Sequence, residues 1–170
     1  MEVYIKEINK NLSNKNYYSA LMVSLVLPDI CGYLESPDST SKSRYVKWFN
    51  NYMAEDYTIT IQDEEHRFLT GDDFYALRCA VLHQGQDNIE NQNARVELMS
   101  FQFVSTRTGT TIHNNRINDK LQLQVDIFCR QIIEGAEKWI KEVMNNSEVI
   151  RARKSNMMDI QSIENRFYIG

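Results

Sequence analysis

Residues 17–35, YYSALMVSLVLPDICGYLE, decide the fold because they are apolar around nearly the whole circumference of a helix. Such a helix belongs in the middle of a core, surrounded by other helices. Proline removes a backbone donor and clashes with the preceding turn, so Pro28 predicts a kink or break. Asp29 would then cap a second helical piece. The apolar run from Ala20 to Leu27 is shorter than the roughly 20 residues of a membrane helix.

The composition is that of one globular domain spanning residues 1–170. Only six glycines and two prolines favour long regular elements, mostly helices, over a loop-rich sandwich. The start, MEVYIKEINKN, lacks the apolar segment of a secretory signal, so we expect a soluble cytoplasmic protein with no membrane association. A net charge of −4 excludes nucleic-acid binding through a broad basic surface, so any such contact would be local.

A second well-specified helix carries FYALRCAVLHQG, residues 74–85. Thr70 and Asp73 form a capping signal just ahead of it, and Gly85 suits the position after the last turn. We predict a helix over about Asp72 to Gln84, packed against the first one in the core. The face that enters the core is that of Phe74, Leu77 and Val81.

Three patterns that resemble binding signatures are interpreted as structural. The aromatic stripe in KSRYVKWFNNYMAE has helical spacing, which is more often core than a base-stacking platform. The run DEEH, residues 63–66, points adjacent side chains in different directions, so we predict no metal there. The three cysteines are far apart, which is not a zinc spacing, and we expect buried thiols. No metal or other cofactor is expected. The cysteines are Cys31, Cys79 and Cys129, and the stripe is Tyr45, Trp48, Phe49 and Tyr52.

The second half of the chain alternates like a small sheet and then returns to a helix. Residues 95–105 and 120–125 predict two antiparallel strands joined by a long loop, a hairpin insertion in a helical plan. Asp126 would cap the long amphipathic helix IFCRQIIEGAEKWIKEVMNN. A basic tail begins at about residue 147 and contains RARK, residues 151–154. Three alternatives stand for this tail: it docks, it pairs with a partner, or it is loosely ordered.

Arg78 and His83 are the candidate site residues. Their side chains point about 140° apart on an ideal helix, but a long arginine can reach back toward the last turn. An arginine matches a phosphate and a histidine transfers protons near neutral pH, which suits metal-independent cleavage of RNA by its own 2′-hydroxyl. Arg78 has no acidic residue three or four positions away, so its partner is a distant carboxylate or a substrate phosphate. We expect both side chains to line an accessible groove.

The spacing Arg-x4-His in this segment resembles the motif of the HEPN superfamily (higher eukaryotes and prokaryotes nucleotide-binding domain). The blocks LPDICGYLE, YVKWFNNYM, LTGDDFYALRCAVLHQG and IFCRQIIEGAEKWI are also similar to a set of uncharacterised bacterial proteins, over most of residues 17–145. The resemblance implies an all-α bundle and a homodimer whose interface forms one RNA-cutting site. Arg78 would bind the scissile phosphate and His83 would transfer protons. Cys79 departs from the polar residue frequent at that position in nuclease members.

Three functions remain open from the sequence. The first is a metal-independent HEPN-like endoribonuclease in a toxin–antitoxin or phage-defence setting, with RNA as substrate and an antitoxin protein as partner. The second is a non-catalytic HEPN-like module that dimerises or binds a nucleotide or protein. The third is a helical scaffold in which Arg78 and His83 only bridge and cap. A scaffold of this kind predicts that the two side chains lie apart.

Overall fold

The computed structural model describes residues 1–107 and 109–160, and more than half of these residues are helical, with six α-helices among them. A 3₁₀ turn follows the third helix at Ala54–Tyr57, and a π-helical turn extends the fifth at Ile140–Met144. The prediction of a mainly helical fold is confirmed. The helices are α1 (Glu2–Ser13), α2 (Tyr17–Glu35), α3 (Ser41–Tyr52), α4 (Gly71–Gln84), α5 (Val125–Trp139) and α6 (Glu148–Ser155).

Helix α2 lies in the centre of the core and contacts α1, α3 and α5. Leu25 and Cys31 are fully buried in it. Of the kink or break predicted at Pro28, the break is wrong, because α2 runs unbroken through this residue. Pro28 has no amide hydrogen for the carbonyl of Ser24, four residues earlier, and the Tyr45 hydroxyl of α3 donates to the neighbouring carbonyl of Leu25 at 3.0 Å. Asp29 therefore lies in mid-helix and is not a cap.

Helix α2 is also the one helix of the described residues that is long and apolar enough to cross a membrane. Its most apolar window has a mean hydropathy of 1.3, and half of that window is buried inside the protein. Central core helices and signal sequences meet the same criterion of length and composition. The criterion alone therefore does not distinguish these cases.

Helix α4 begins and ends as the sequence predicts. The Thr70 hydroxyl accepts a hydrogen bond from the Asp73 amide at 3.1 Å, which satisfies a donor of the first turn. Gly85 has a φ of 66°, the left-handed conformation that glycine adopts without strain after a last turn. The predicted core face is confirmed, since Phe74, Leu77 and Val81 are all buried.

The aromatic residues of α3 join this helix to α4 and α5. Tyr45 and Phe49 are fully buried and contact the ring of Phe74, with ring centroids 4.8 and 5.2 Å apart. Trp48 approaches Gly135 of α5 so closely that a Cβ there would lie 2.8 Å from its ring. The prediction that this stripe belongs to the core is confirmed.

A two-stranded antiparallel sheet is present, but not in the segment where the sequence predicts one. Strands β1 (Thr58–Ile61) and β2 (Glu64–Arg67) pair as a hairpin between α3 and α4. The run DEEH forms the turn and start of β2, and it is exposed. An acidic run without packing partners stays in solvent.

The predicted antiparallel hairpin of residues 95–125 is wrong in its pairing. This segment forms three strands, β3 (Ser100–Val104), β4 (Asn115–Ile117) and β5 (Lys120–Gln124), in the order β3-β5-β4. Strand β3 pairs with β5 in parallel, while β4 pairs with β5 antiparallel. The long connection after β3 lets the chain cross over, so that β5 pairs in parallel with β3. The tight antiparallel turn therefore joins β4 and β5.

The connection before β4 is tied to the helices through His113. The Gln124 amide donates to its Nδ1 at 3.3 Å, and its Nε2 lies 3.1 Å from the side-chain oxygen of Gln131. The Tyr57 hydroxyl donates to the same oxygen at 2.6 Å. Because Nδ1 accepts, Nε2 carries the proton of the neutral ring. Burial lowers the pKa of His113, which favours this neutral form.

Helix α5 begins one residue before the predicted cap. Gln124 holds the N-cap position, and Asp126 lies in the first turn, where a negative charge interacts favourably with the helix dipole. At the other end, the indole of Trp139 donates to the carboxylate of Glu35 at 3.1 Å. This contact fixes the end of α5 beside the end of α2.

Of the three alternatives for the tail, docking is what the structure shows up to residue 160. The Arg153 guanidinium of α6 donates to the carbonyls of Leu34 and Glu35 at 2.8 and 3.3 Å, which satisfies the last turn of α2. Lys154 pairs with Glu2 at 2.8 Å. Residues 161–170 lie outside the described residues. They include the end of this tail and the end of the single domain predicted over 1–170.

Candidate functional site

Arg78 and His83 lie on α4, and their side chains meet. The guanidinium Nη1 of Arg78 is 2.9 Å from Nε2 of His83. Five residues separate the two positions, so an ideal helix turns them apart, and the contact forms because the arginine reaches back along the last turn. His83 is exposed, while the Arg78 side chain is 17% exposed. The scaffold interpretation predicts the two side chains apart, and they are in contact.

As a hydrogen bond, the contact fixes which atom of the histidine accepts. Arginine has only donors, so a hydrogen bond at this distance requires Nε2 of His83 to accept. The neutral ring then carries its proton on Nδ1. A proton on Nε2 would remove the acceptor and break the hydrogen bond to Arg78.

A carboxylate from the middle of α2 holds the arginine in place. Asp29 Oδ2 accepts from Arg78 Nη2 at 3.0 Å, and its side chain is 19% exposed. A guanidinium that is largely withdrawn from water needs such a partner. Of the two partners expected for Arg78, a distant carboxylate or a phosphate, the chain supplies the carboxylate, 49 residues away in sequence.

Asp29 also contacts two side chains of α3. The Ser41 hydroxyl lies 3.1 and 3.2 Å from its two oxygens, and Arg44 Nη2 lies 3.4 Å from Oδ1. Arg44 is 13% exposed, so two arginines largely withdrawn from solvent share one carboxylate. The cluster therefore carries an excess positive charge, which favours an anion at its edge.

Tyr75 adds a hydroxyl beside this cluster, one turn before Cys79 on α4. Burial, followed by a hydrogen bond with Cys79, raises the pKa of Tyr75. Its hydroxyl therefore remains protonated near neutral pH and available as a donor. Helices α2, α3 and α4 thus supply the whole cluster, with no contribution from either sheet.

Two clefts of about 600 Å³ each lie along α2. One is lined by Asp29 and Arg44, and the other by Val81 and Gly85. Neither of these clefts is lined by Arg78 or His83. These two clefts of the single chain therefore do not form the groove that was expected to contain both side chains.

Asp29, Arg44 and Ser41 were not predicted as members of the cluster. Asp29 was predicted to cap a helix, and Arg44 lies in the stretch predicted to belong to the core. Their pairing depends on how three helices dock, so no local pattern indicates it. The one available signal was the lack of a nearby acid for Arg78, which requires a distant partner.

No protein-family model, curated protein or solved structure matches the chain. Among residues 1–107 and 109–160, no group of three or more His, Cys, Asp or Glu side chains is placed to hold a metal ion. The candidate site therefore rests on the geometry of Arg78, His83 and Asp29.

Proposed function

We propose that the protein is a metal-independent endoribonuclease that acts as a homodimer, with Arg78 and His83 in its active site. The observation that carries the proposal is the contact of an exposed His83 with a guanidinium that Asp29 holds from the other side. A fixed cation beside a titratable imidazole provides charge stabilisation and proton transfer at one phosphate. The resemblance of the Arg-x4-His segment to HEPN nucleases supports the same chemistry.

The proposed reaction uses the 2′-hydroxyl of the RNA as nucleophile. His83 Nε2 takes the 2′-hydroxyl proton while the 2′-oxygen attacks phosphorus and the bond from phosphorus to the 5′-oxygen breaks. The products are a 2′,3′-cyclic phosphate and a 5′-hydroxyl end. Arg78 Nη1 moves from Nε2 to the phosphate, which frees the base, while Nη2 stays on Asp29.

The 5′-oxygen must receive a proton as it leaves, and one imidazole cannot be base and acid in the same step. In the proposal this acid is His83 of a second copy, whose own Arg78 has likewise moved to the phosphate so that its Nε2 carries a proton. Exposed apolar side chains on α2 support such an interface, since they follow the same helix face as Asp29. Tyr18 is 84% exposed and Met22 43%. A twofold axis beside this face brings two α4 helices together.

Cleavage is tested with purified protein and mixed RNAs in EDTA, followed by mapping of the product ends. We expect wild-type protein to leave cyclic phosphate ends, and Arg78→Ala and His83→Ala each to lower the rate by a factor of about 10² or more. His66→Ala is the matched control, because that imidazole is exposed on β2. Intact RNA with wild-type protein contradicts the proposal, and so does an equal loss in His66→Ala.

The dimer is tested by light scattering. Tyr18→Glu should lower both the dimer fraction and the cleavage rate, because it places a charge in the proposed interface. Val149→Glu is the control, since Val149 is 60% exposed on α6. A strictly monomeric wild-type protein at high concentration would exclude the composite site. In cells, growth arrest on overexpression that Arg78→Ala and His83→Ala both remove would support a toxin with an antitoxin partner.

A second candidate is a non-catalytic module that dimerises or binds a nucleotide or protein. It is favoured by the pairing of Arg78 with Asp29, which satisfies the guanidinium within the chain. This candidate predicts that wild-type protein dimerises and leaves RNA intact, and that Arg78→Ala lowers the melting temperature. The cleavage and light-scattering measurements above distinguish it from the nuclease.

A further inference from the structure

A cleft of about 600 Å³ lies on the side of α2 that faces α1 and α6. Its volume is in the range of small-molecule sites. Tyr4 of α1 and Tyr33 of α2 bring aromatic rings to it, and Asn156, just after α6, brings an amide. The remaining lining is largely apolar.

Two guanidinium groups line this cleft. Arg44 is held by the carbonyl of Pro37 at 3.4 Å and by Asp29, and its guanidinium carbon lies 5.5 Å from the centre of the Tyr33 ring. Arg153 donates through Nη1 to two carbonyls at the end of α2, and it forms no ion pair with a carboxylate of the described residues. Both cations are therefore positioned before any ligand arrives, which lowers the entropic cost of binding.

The charge of the cleft is not balanced. Asp29 is its one acidic lining residue, and Asp29 also pairs with Arg78 outside the cleft. Arg44 and Arg78 thus share one carboxylate, while Arg153 contacts carbonyl oxygens only. A fixed excess of positive charge beside aromatic and apolar walls selects an anionic group carried on an apolar body.

We propose that this cleft binds a small ligand with an aromatic or apolar body and one phosphate or carboxylate group. The anion contacts Arg153 and Arg44, and the body lies against Tyr33 and Tyr4. The proposal does not depend on RNA cleavage, because none of these four residues is assigned a role in the proposed reaction.

Binding is measured by isothermal titration calorimetry on the full chain, with phenyl phosphate, benzoate, inorganic phosphate and phenol as probes. We expect phenyl phosphate or benzoate to bind saturably, and about tenfold more tightly than inorganic phosphate or phenol, because each of those lacks one half of the recognition. The comparison of phenyl phosphate with benzoate separates the two anion classes.

Two variants locate the site. Arg153→Gln should weaken phenyl phosphate or benzoate by about tenfold, since it removes a charge-assisted contact. Tyr33→Ala should make phenyl phosphate and benzoate bind no more tightly than inorganic phosphate. This variant keeps both cations and the end of α2. Arg151→Gln, on the same helix but outside the cleft, is the matched control and should bind as wild type. His83→Ala should also bind as wild type, whether or not it cleaves RNA.

The proposal is overturned if neither phenyl phosphate nor benzoate binds saturably at about 10 mM, far above the concentrations of weak specific sites. An equal loss in Arg151→Gln and Arg153→Gln would overturn it as well, because the effect would then reflect net charge. Equal affinity for phenyl phosphate and inorganic phosphate would exclude the apolar part of the site.

Discussion

Replacing Asp29 by Asn removes the charge shared by two arginines and keeps the size of the side chain. Removal of one partner from a fully buried ion pair costs about 3–5 kcal/mol, because the remaining charge is left uncompensated. Asp29, Arg78 and Arg44 are 19, 17 and 13% exposed, so water compensates part of that cost. The Ser41 hydroxyl keeps an acceptor in the amide. We therefore expect the free energy of unfolding to fall by about 2–3 kcal/mol.

The change is measured by urea denaturation and by the melting temperature, which should fall by about 4–12 °C in a chain of this length. Arg78→Gln and the double variant complete a mutant cycle, whose coupling energy should be about 1–2 kcal/mol. Glu65→Gln is the control, because its ion pair with Arg67 is exposed and contributes less than about 0.5 kcal/mol. A loss in Asp29→Asn as small as that of the control, or strictly additive effects in the cycle, would refute the role of Asp29 as the anchor.

Three further predictions concern other parts of the fold. Burial lowers the pKa of His113 below its usual 6.5, so on acidification the imidazole takes up a proton in the unfolded chain before it does so in the folded protein. The free energy of unfolding should therefore fall as the pH drops below about 6.5. Urea denaturation of His113→Asn should show a smaller decline. Gly135→Ala places a Cβ 2.8 Å from the ring of Trp48, and calorimetry should show a loss of about 1–3 kcal/mol. Burial raises the pKa of Cys129 to about 12, so a thiol reagent should modify the half-buried Cys79 first, as peptide mapping would show.

Helix α4 was predictable because its signals are local. Thr70 and Gly85 mark its ends, and the spacing of Phe74 and Leu77 marks its buried face. The sequence predicts that Arg78 has some partner, since a guanidinium that is largely withdrawn from water cannot remain unpaired. The identity of that partner was not predictable, because Asp29 is brought to it by the docking of two helices.

The errors have the same physical origin. Pro28 has a strong local preference against a helix interior, and the packing of α2 between its neighbours overrides it. The alternation of residues 95–125 correctly indicates strands, but their direction of pairing depends on where the chain crosses between β3 and β5. Local patterns thus specify elements, while long-range packing decides which residues meet.

The position of Asp29 links the two sides of α2 thermodynamically. Arg44 and Arg78 contact the two different oxygens of this one carboxylate, so an anion that draws Arg44 toward the cleft would leave the charge of Asp29 more fully to Arg78. By reciprocity, a phosphate that takes part of the charge of Arg78 would strengthen the hold of Asp29 on Arg44 and weaken the attraction of the cleft for anions. One carboxylate in an unbroken helix is sufficient for such negative coupling, with no movement of the backbone.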